Sequence, residues 1–211
     1  MRGIKTHILY DTAHAIFFVM FKILFGYRIA GRENVPKTGP VILASNHASF
    51  LDPPLVGSAL WRRVNFVARD TLFNRPWKKF ILDRWKAFPI NRDRLDKTTL
   101  TDIMNRLKRG EPVCLFPEGT RSLDENFLPG KAGIGMIVSI AKVPVVPVYI
   151  NGSYKTMGKE HKVLKPTEIS VTFGKPMDFS ALDGKKGHER YQLIADAIME
   201  EIKKLKEDNH V

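Results

Sequence analysis

The chain has 211 residues, a length sufficient for one α/β domain with its own core. Its 44% apolar and 27% charged residues are ordinary proportions for a globular protein. Lysine and arginine (34 residues) outnumber aspartate and glutamate (22), and the formal net charge of +12 favours an anionic partner such as nucleic acid, an acidic protein, a phosphorylated substrate or an anionic membrane. The single cysteine, Cys114, excludes a disulfide within the chain and a cysteine-rich zinc site.

The most apolar stretch covers residues 8–25, where the apolar side chains from Ala15 to Phe25 surround the helix axis and only Lys22 interrupts them. Such a helix is either packed on the domain or lies at a membrane surface, and it is too short and too charged to span a bilayer, which takes about 20 apolar residues. Positive charge in and around the stretch favours the membrane: Arg2, Lys5, Lys22, Arg28 and Arg32. We therefore predict an N-terminal hydrophobic arm over residues 1–32 and one α/β domain over residues 33–211.

From residue 41 onward, short β-branched runs alternate with helical patterns. The predicted strands are 41–45, 64–68, 88–90, 112–116, 143–150 and 168–173, and the predicted helices lie near 53–61, 74–86, 97–109, 131–142 and 188–206. Alternation at this spacing is typical of parallel strands joined by crossover helices. The sequence therefore predicts an α/β fold with a mostly parallel sheet flanked by helices.

The run SNHASFLDPP, residues 45–54, places a histidine and an aspartate between a strand and a helix. In a helix the side chains of His47 and Asp52 would point about 140° apart. Pro53 instead favours Asp52 at the N-cap of the next helix, so that a curled loop can bring its carboxylate to one imidazole nitrogen. That pairing fixes the tautomer and leaves the other nitrogen free to take a proton. Taken alone, the pair is more simply read as a helix cap beside a loop histidine.

A second polar run, FPEGTRS at residues 116–122, also follows a predicted strand. Gly119 permits a tight backbone path, and Glu118 and Arg121 project from the resulting loop. Parallel strands bring their carboxyl ends to one edge of the sheet, where ligands bind, so this loop and the His47 loop are expected to share a cleft. Arg121 offers a planar fork that suits a phosphate or a carboxylate, although an isolated arginine is usually a solvated surface residue.

These runs resemble the conserved blocks of the glycerolipid acyltransferases, the family of 1-acylglycerol-3-phosphate acyltransferases. NHASFLD (46–52) resembles the N-H-x-x-x-x-D block, and FPEGTRS is similar to the F-P-E-G-T-R-S block. AFPINR (87–92) and VPVVPVYI (143–150) resemble the second and fourth blocks, so the likeness extends over roughly residues 33–150. Two positions depart from it: Lys86 stands where many members have glycine, and Arg69 stands where lysine is usual.

The resemblance implies transfer of a fatty acyl group from an acyl thioester to the free hydroxyl of 1-acyl-glycerol-3-phosphate, giving phosphatidic acid. Acyl-CoA or acyl-carrier protein would be the co-substrate, with no cofactor and no nucleic-acid partner. Because the acceptor and the product are membrane lipids, the implied location is the cytoplasmic face of the membrane, with monotopic or peripheral attachment.

The same resemblance assigns roles within the blocks. His47, with an unperturbed pKa of about 6.5, would be the general base, and Asp52 would orient it and stabilise the imidazolium. Glu118 would bind acceptor hydroxyls or hold Arg121 in place, and the oxyanion stabiliser is sought among the backbone N–H groups of residues 88–91. The residues expected to bind the phosphorylated acceptor are Arg121 first, supported by Arg92 and Arg69, with donors from Gly119 and Thr120.

Several alternatives stay open at this point. Ser45 and Ser49 flank the histidine, so a serine nucleophile is conceivable, although neither lies in a G-x-S-x-G turn. The alternative acceptors are glycerol-3-phosphate and another lysophospholipid. The alternative functions that would use similar residues are a lipid or thioester hydrolase and a non-catalytic lipid-binding protein. No metal site is predicted, because the other histidines lack ligand spacing: His7, His14, His161, His188 and His210.

Overall fold

The structure, a computed structural model, describes residues 2–84, 86–90, 96–158, 160 and 164–208. Within these residues the strands are β1 (Arg28–Ala30), β2 (Val41–Ser45), β3 (Asn65–Arg69), β4 (Ala87–Ile90), β5 (Pro112–Leu115), β6 (Val145–Asn151) and β7 (Ser170–Phe173). The α-helices are α1 (Arg2–Phe25), α2 (Asp52–Ala59), α3 (Pro76–Arg84), α4 (Lys97–Lys108), α5 (Ala132–Ala141), α6 (Ser153–Met157) and α7 (Gly187–Asp208).

The strands form one sheet in the order β1-β7-β6-β2-β5-β3-β4. Strands β2 to β6 run parallel to one another, and β7 pairs antiparallel with β6 while β1 follows β7 in parallel. The mostly parallel α/β prediction is therefore confirmed. Because β2 and β5 are neighbours in register from Val41–Pro112 to Ala44–Leu115, the loops that follow them leave the same edge of the sheet side by side.

Helices cover both faces of the sheet, and this explains why the sequence of β2 is apolar throughout. Val41 and Leu43 belong to the core that α1 and α2 complete, whereas Ile42 and Ala44 belong to the core that α4, α5 and α7 complete. Successive side chains of a strand point to opposite faces, so a strand covered on both sides needs apolar residues at every position. The central strand therefore reads as a continuous apolar run.

The N-terminal helix packs on the domain along one face only. Phe21 and Phe25 of α1 are buried in the core beside α2, while Ile16, Val19 and Ile23 on the other side are exposed. Strand β1 lies inside the range predicted as the arm, and neither β1 nor the short helix α6 was predicted from the sequence. Both are shorter than the window over which a hydrophobic period can be recognised.

Two lysines adopt the left-handed backbone conformation that favours glycine. Lys86 has φ 52°, at the position where the similar family often has glycine, and Lys142 has φ 49° and ψ 46° immediately after α5. The Lys142 N–H donates to the Val138 carbonyl, which is the usual bond of a helix that ends in a left-handed residue. A Cβ atom is disfavoured in this conformation by roughly 1–2 kcal/mol.

Lys142→Gly is therefore expected to stabilise the fold by roughly 0.5–1 kcal/mol, because the relief of strain exceeds the entropy that glycine adds to the unfolded chain. Urea unfolding followed by circular dichroism measures the change. Lys142→Ala is the matched control, since it removes the same side chain but keeps the Cβ atom. Equal free energies of unfolding for the two variants would contradict the explanation.

Candidate active site

The loops after β2 and β5 are hydrogen-bonded to each other. The Ser122 N–H donates to the His47 carbonyl at 2.8 Å, and the His47 N–H donates to Glu118 Oε1 at 2.8 Å. These bonds join segments that lie about seventy residues apart in the chain, and they exist because β2 and β5 are parallel neighbours. The shared cleft that the sequence predicts is therefore present at this edge of the sheet.

His47 and Asp52 are in direct contact in this cleft. The His47 Nδ1–H donates to Asp52 Oδ2 at 2.8 Å, and the same oxygen accepts the backbone N–H groups of Ala48 and Ser49, each at 2.8 Å. Asp52 is completely buried, and a buried carboxylate is tolerated when it accepts several hydrogen bonds. With Nδ1 carrying the proton, Nε2 of His47 holds the lone pair that can accept one.

The sequence-based position of Asp52 was wrong by one residue. The helix cap is Leu51, and Asp52 is already the first residue of α2. A carboxylate that caps a helix accepts N–H groups two or three residues onward, but Pro54 has none and the Leu55 N–H donates to the Leu51 carbonyl. The Asp52 side chain therefore turns back to the loop before the helix, where its donors lie.

The imidazole of His47 also packs against an aromatic ring. It stacks on Phe116, the residue that follows β5, with ring centroids 4.0 Å apart and planes inclined by 17°. The stacking on Phe116 restrains one face of the imidazole, while the hydrogen bond to Asp52 restrains rotation of the ring. The histidine is therefore held in one orientation before any ligand is bound.

A cavity of about 480 Å³ opens beside His47. Its walls are mainly apolar and include Phe17 of α1, whereas its polar side chains are His47, Arg69, Thr71 and Arg121. The guanidinium of Arg121 lies over the ring of Phe50, 3.5 Å from its centroid, in a cation–π contact. The cavity thus joins an apolar space to two cations and one imidazole, which suits a molecule with a fatty chain and an anionic end.

Glu118 is bonded to the main chain of both loops. Its carboxylate is buried, with Oε1 accepting the His47 N–H and Oε2 accepting the Leu128 N–H at 2.9 Å. It lines a second, polar cavity of about 270 Å³ on the other side of the His47 loop. Burial raises the pKa of Glu118 to about 7, helped by the nearby charge of Asp52 and opposed by the two hydrogen bonds.

The other predicted binding residues divide into three groups. Arg69 ends β3 and lines the larger cavity with Arg121. Gly119 has φ 67° in the turn after β5, as its predicted role in the backbone requires, but neither Gly119 nor Thr120 lines either cavity. Arg92 lies outside the described residues, as does residue 91 at the end of the 88–91 segment predicted to stabilise an oxyanion.

Three residues of the two quoted runs have contacts that sequence reasoning did not assign. The amide of Asn46 both donates to and accepts from the backbone of Ile150 on β6, at 3.0 and 2.7 Å, and thereby anchors the start of the His47 loop. Phe116 and Phe50 support the imidazole and the guanidinium. All three lie inside NHASFLD or FPEGTRS, so their position next to the predicted site residues was the feature of the sequence that could have indicated a role in the site.

The two flanking serines are occupied by structural bonds. Ser45 Oγ donates to the Asn46 carbonyl at 3.1 Å, and Ser49 Oγ donates to the Met157 carbonyl at 2.6 Å. Both serines are fully buried, and neither lines the larger cavity. Among the described residues, no three His, Cys, Asp or Glu side chains are grouped so that they could hold a metal ion.

Comparisons with known proteins agree on one family. The family model described as acyltransferase matches residues 26–151. The chain is 28% identical over 191 residues to a 1-acyl-sn-glycerol-3-phosphate acyltransferase of Bacillus subtilis (strain 168), covering 89% of this chain and 92% of that protein. It is 33% identical over 162 residues to a chloroplastic 1-acyl-sn-glycerol-3-phosphate acyltransferase of Brassica napus, covering 74% of this chain and 46% of that protein.

A solved structure is also similar. The crystal structure of the 1-acyl-sn-glycerophosphate acyltransferase from Thermotoga maritima superposes with a TM-score of 0.79 and 25% sequence identity, over 99% of this chain and 83% of that chain. The arrangement of strands and helices described above is therefore shared with that protein along nearly the whole chain.

Replacement of Glu118 should change how stability depends on pH. The pKa of this carboxyl is about 7 in the fold and about 4.5 in the unfolded chain, so the folded state holds the extra proton between these values. The stabilisation from this proton is present at low pH and is lost as the pH rises through about 7, by up to about 3 kcal/mol. Glu118→Gln cannot titrate, so its free energy of unfolding should lack this component.

The measurement is the difference in free energy of unfolding between the wild type and Glu118→Gln, by urea unfolding from pH 4.5 to 8. Other titrating groups cancel in this difference. Glu125→Gln serves as the control because its side chain is solvent-exposed in the same loop. A difference for Glu118→Gln that stays constant over the pH range would contradict the raised pKa.

Proposed function

Because the chain belongs to the acyltransferase family, we propose that it transfers a fatty acyl group from a thioester donor to the free hydroxyl of 1-acyl-glycerol-3-phosphate, forming phosphatidic acid. The observation that carries this proposal is the His47–Asp52 pair, at 2.8 Å, beside an apolar cavity that also holds Arg69 and Arg121. A base, a chain-sized apolar space and two cations are the parts that this reaction needs in one place.

In the proposed step, Nε2 of His47 takes the proton of the acceptor hydroxyl as its oxygen attacks the thioester carbonyl. The tetrahedral intermediate then releases the thiolate, and His47 returns the proton to the sulfur. Asp52 keeps the imidazole in the tautomer in which Nε2 carries the lone pair, and it stabilises the imidazolium that forms in between. The bonds made by Ser45 and Ser49 favour this direct attack over a serine acyl-enzyme.

Arg121 and Arg69 are proposed to bind the phosphate of the acceptor. Both line the cavity that contains His47, and a guanidinium can donate two parallel hydrogen bonds to phosphate oxygens. The contact with Phe50 holds the plane of the Arg121 guanidinium in place. Lysophosphatidic acid fits this arrangement better than an uncharged acceptor, while glycerol-3-phosphate and other lysophospholipids remain the alternatives to be tested.

Glu118 is proposed to act as a positioning residue. Its carboxylate receives the N–H of His47 from one loop and the N–H of Leu128 from the other, so that the base and Arg121 are kept at a fixed separation. A displacement of about 1 Å at such a site is enough to lower turnover about 100-fold. The acceptor itself need not touch this buried carboxylate.

The acyl donor is proposed to be acyl-CoA or acyl-carrier protein, without a cofactor or a metal. The apolar walls of the larger cavity suit a fatty acyl chain. The net charge of +12 suits either donor, since coenzyme A carries phosphates and carrier protein is acidic. The main rival is a hydrolase built on the same residues, in which water replaces the lipid hydroxyl.

The exposed face of α1 is proposed to rest on the cytoplasmic surface of the membrane as a peripheral attachment. Ile16, Val19, Ile23 and Leu24, here called the apolar stripe, are each more than half exposed and fall within an arc of about 140° around the helix. A one-sided apolar stripe beside basic residues is typical of interface-bound helices. Among the described residues, no helix is long and apolar enough to cross a membrane. A chain that failed to bind lipid vesicles of any charge would contradict this docking.

His47→Ala is expected to lower turnover by at least about 100-fold without unfolding the protein, because the acceptor hydroxyl loses its base. Purified protein is assayed with labelled acyl-CoA and acyl-carrier protein against lysophosphatidic acid, glycerol-3-phosphate, other lysophospholipids and water, with products identified by mass spectrometry. His188→Ala is the control, since this histidine is exposed on α7. Retained activity would overturn the base assignment, and free fatty acid as the sole product would favour the hydrolase.

Arg121→Ala and Glu118→Gln should affect different kinetic constants. Loss of a charged hydrogen bond to phosphate is expected to raise the KM of lysophosphatidic acid by about 10- to 100-fold, with little effect on monoacylglycerol, which has no phosphate. Glu118→Gln should instead lower kcat by about 10- to 100-fold and leave the acceptor KM unchanged. If Glu118→Gln chiefly raised the acceptor KM, this carboxylate would be an acceptor ligand rather than a positioning residue.

A further inference from the structure

A separate cavity of about 330 Å³ lies against α1, away from the catalytic residues. Its lining includes Phe18 and Lys22 of the helix, together with Ile29, Arg32 and Glu33 from β1 and the segment that follows it. Two cations and one carboxylate thus surround a space that also has apolar walls. The proposed reaction uses none of these residues.

The helix places this cavity and the catalytic cavity on opposite flanks of the apolar stripe. At 100° per residue, Phe17, which lines the catalytic cavity, stands 100° from Ile16 in one direction. Lys22 stands 120° from Ile16 in the other direction. A surface that covers the stripe therefore meets the catalytic cavity along one edge of the helix and the Lys22–Arg32 cavity along the other.

The cations of this cavity have unused donors. The side chain of Arg32 makes no hydrogen bond or ion pair with any residue that the structure describes, and its Nε is buried without a partner. Its guanidinium lies 5.2 Å from the ring centroid of Trp61, which is largely exposed. Lys22 uses one N–H, which it donates to the Tyr27 carbonyl at 3.2 Å. An ordered guanidinium and ammonium with free donors form a suitable site for an anion, and Glu33 at the rim offsets only one of the two charges.

We propose that Lys22 and Arg32 bind the phosphate of an anionic membrane lipid whose chains lie alongside the apolar stripe. The proposal rests on the membrane docking proposed above and adds a specific headgroup contact to it. The apolar residues Phe18 and Ile29 provide the wall for the glycerol and chain end of such a lipid. Beside Arg32 the ring of Trp61 is largely exposed, and tryptophan rings are enriched at membrane interfaces. A free phosphate would satisfy the cations but would leave the stripe and Trp61 uncovered.

The test is co-sedimentation with vesicles of phosphatidylcholine alone and of phosphatidylcholine mixed with phosphatidylglycerol, which is neither the substrate nor the product. Lys22→Gln/Arg32→Gln should lower binding to the mixed vesicles by about 10-fold or more, because each basic residue near an anionic surface contributes about 1 kcal/mol. Binding to phosphatidylcholine alone should be unchanged. Lys97→Gln/Lys108→Gln removes the same charge from exposed positions on α4, across the sheet, and should have little effect. Equal loss in both double variants would overturn the site.

Arg32→Lys separates a built site from diffuse attraction. The variant keeps the positive charge but loses the planar guanidinium. A specific site therefore predicts weaker binding to mixed vesicles, whereas diffuse attraction predicts unchanged binding. Circular dichroism checks that each variant is folded. If inorganic phosphate, without vesicles, bound the wild type as tightly as the lipid does and not the double variant, the site would serve free phosphate and the lipid assignment would be wrong.

Two further measurements distinguish a failure of the lipid site from a failure of the membrane docking or of the proposed reaction. Ile23→Ser should weaken binding to both kinds of vesicle, and binding unchanged by this variant would contradict the docking on which the site depends. Acyl transfer by the wild type is measured separately in detergent solution. Absence of transfer there would contradict the proposed function while the comparison of lipid binding remained valid.

Discussion

The site depends on one oxygen atom. Asp52 Oδ2 receives the imidazole N–H of His47 and the backbone N–H groups of Ala48 and Ser49, all at 2.8 Å, and the carboxylate is completely buried. Each hydrogen bond to a charged group contributes about 1.5–3 kcal/mol, so the three together offset much of the cost of removing this charge from water. The loop conformation and the histidine orientation are therefore fixed by the same atom.

The topology of the sheet supplies the second constraint. Strands β2 and β5 are distant in sequence but adjacent and in register, so their loops emerge together and Glu118 can bond to both. Burying this carboxylate raises its pKa to about 7, which costs stability at neutral pH. Such a cost is understandable if the bond to the His47 backbone positions the base, because a neutral amide cannot accept two N–H groups in the same way.

The fold was largely predictable because its central elements have clear sequence patterns. The apolar run of β2 and the amphipathic pattern of α7 both gave elements close to those observed, whereas β1 is only three residues long and has no recognisable period. For α1 the sequence left two interpretations, packing on the domain and lying at a membrane surface. Burial of Phe21 confirms the first for one face of the helix, whereas Ile23 on the other face is exposed and its contact with a membrane stays a proposal. A helix that is apolar all round does not reveal by periodicity which face is covered.

At the site, residue types indicated the chemistry but not the local bonding. The spacing of His47 and Asp52 permitted their contact, and the second motif with the family resemblance made it the expectation. The one-residue shift of the helix start follows from the missing N–H of Pro54, which removes the donor that a cap at Asp52 would need. The bonds of Glu118 to the main chain could not be predicted, since they depend on the positions of the two loops relative to each other. Side-chain patterns carry little information about which main-chain N–H groups will face a carboxylate.

The strength of the proposed membrane attachment follows from the size of the apolar stripe. Four half-exposed aliphatic side chains gain roughly 4–7 kcal/mol on transfer out of water, comparable to the marginal and reversible binding that a single myristoyl chain provides. Stable attachment generally requires a second contribution, and the cations that flank the stripe, Lys22 and Arg32, are placed to supply it. Because Phe17 lies on the other flank and lines the cavity beside His47, the proposed docking would bring the membrane to that side of the cavity, and the proposed lipid acceptor would not need to leave the bilayer completely to bring its phosphate to Arg121.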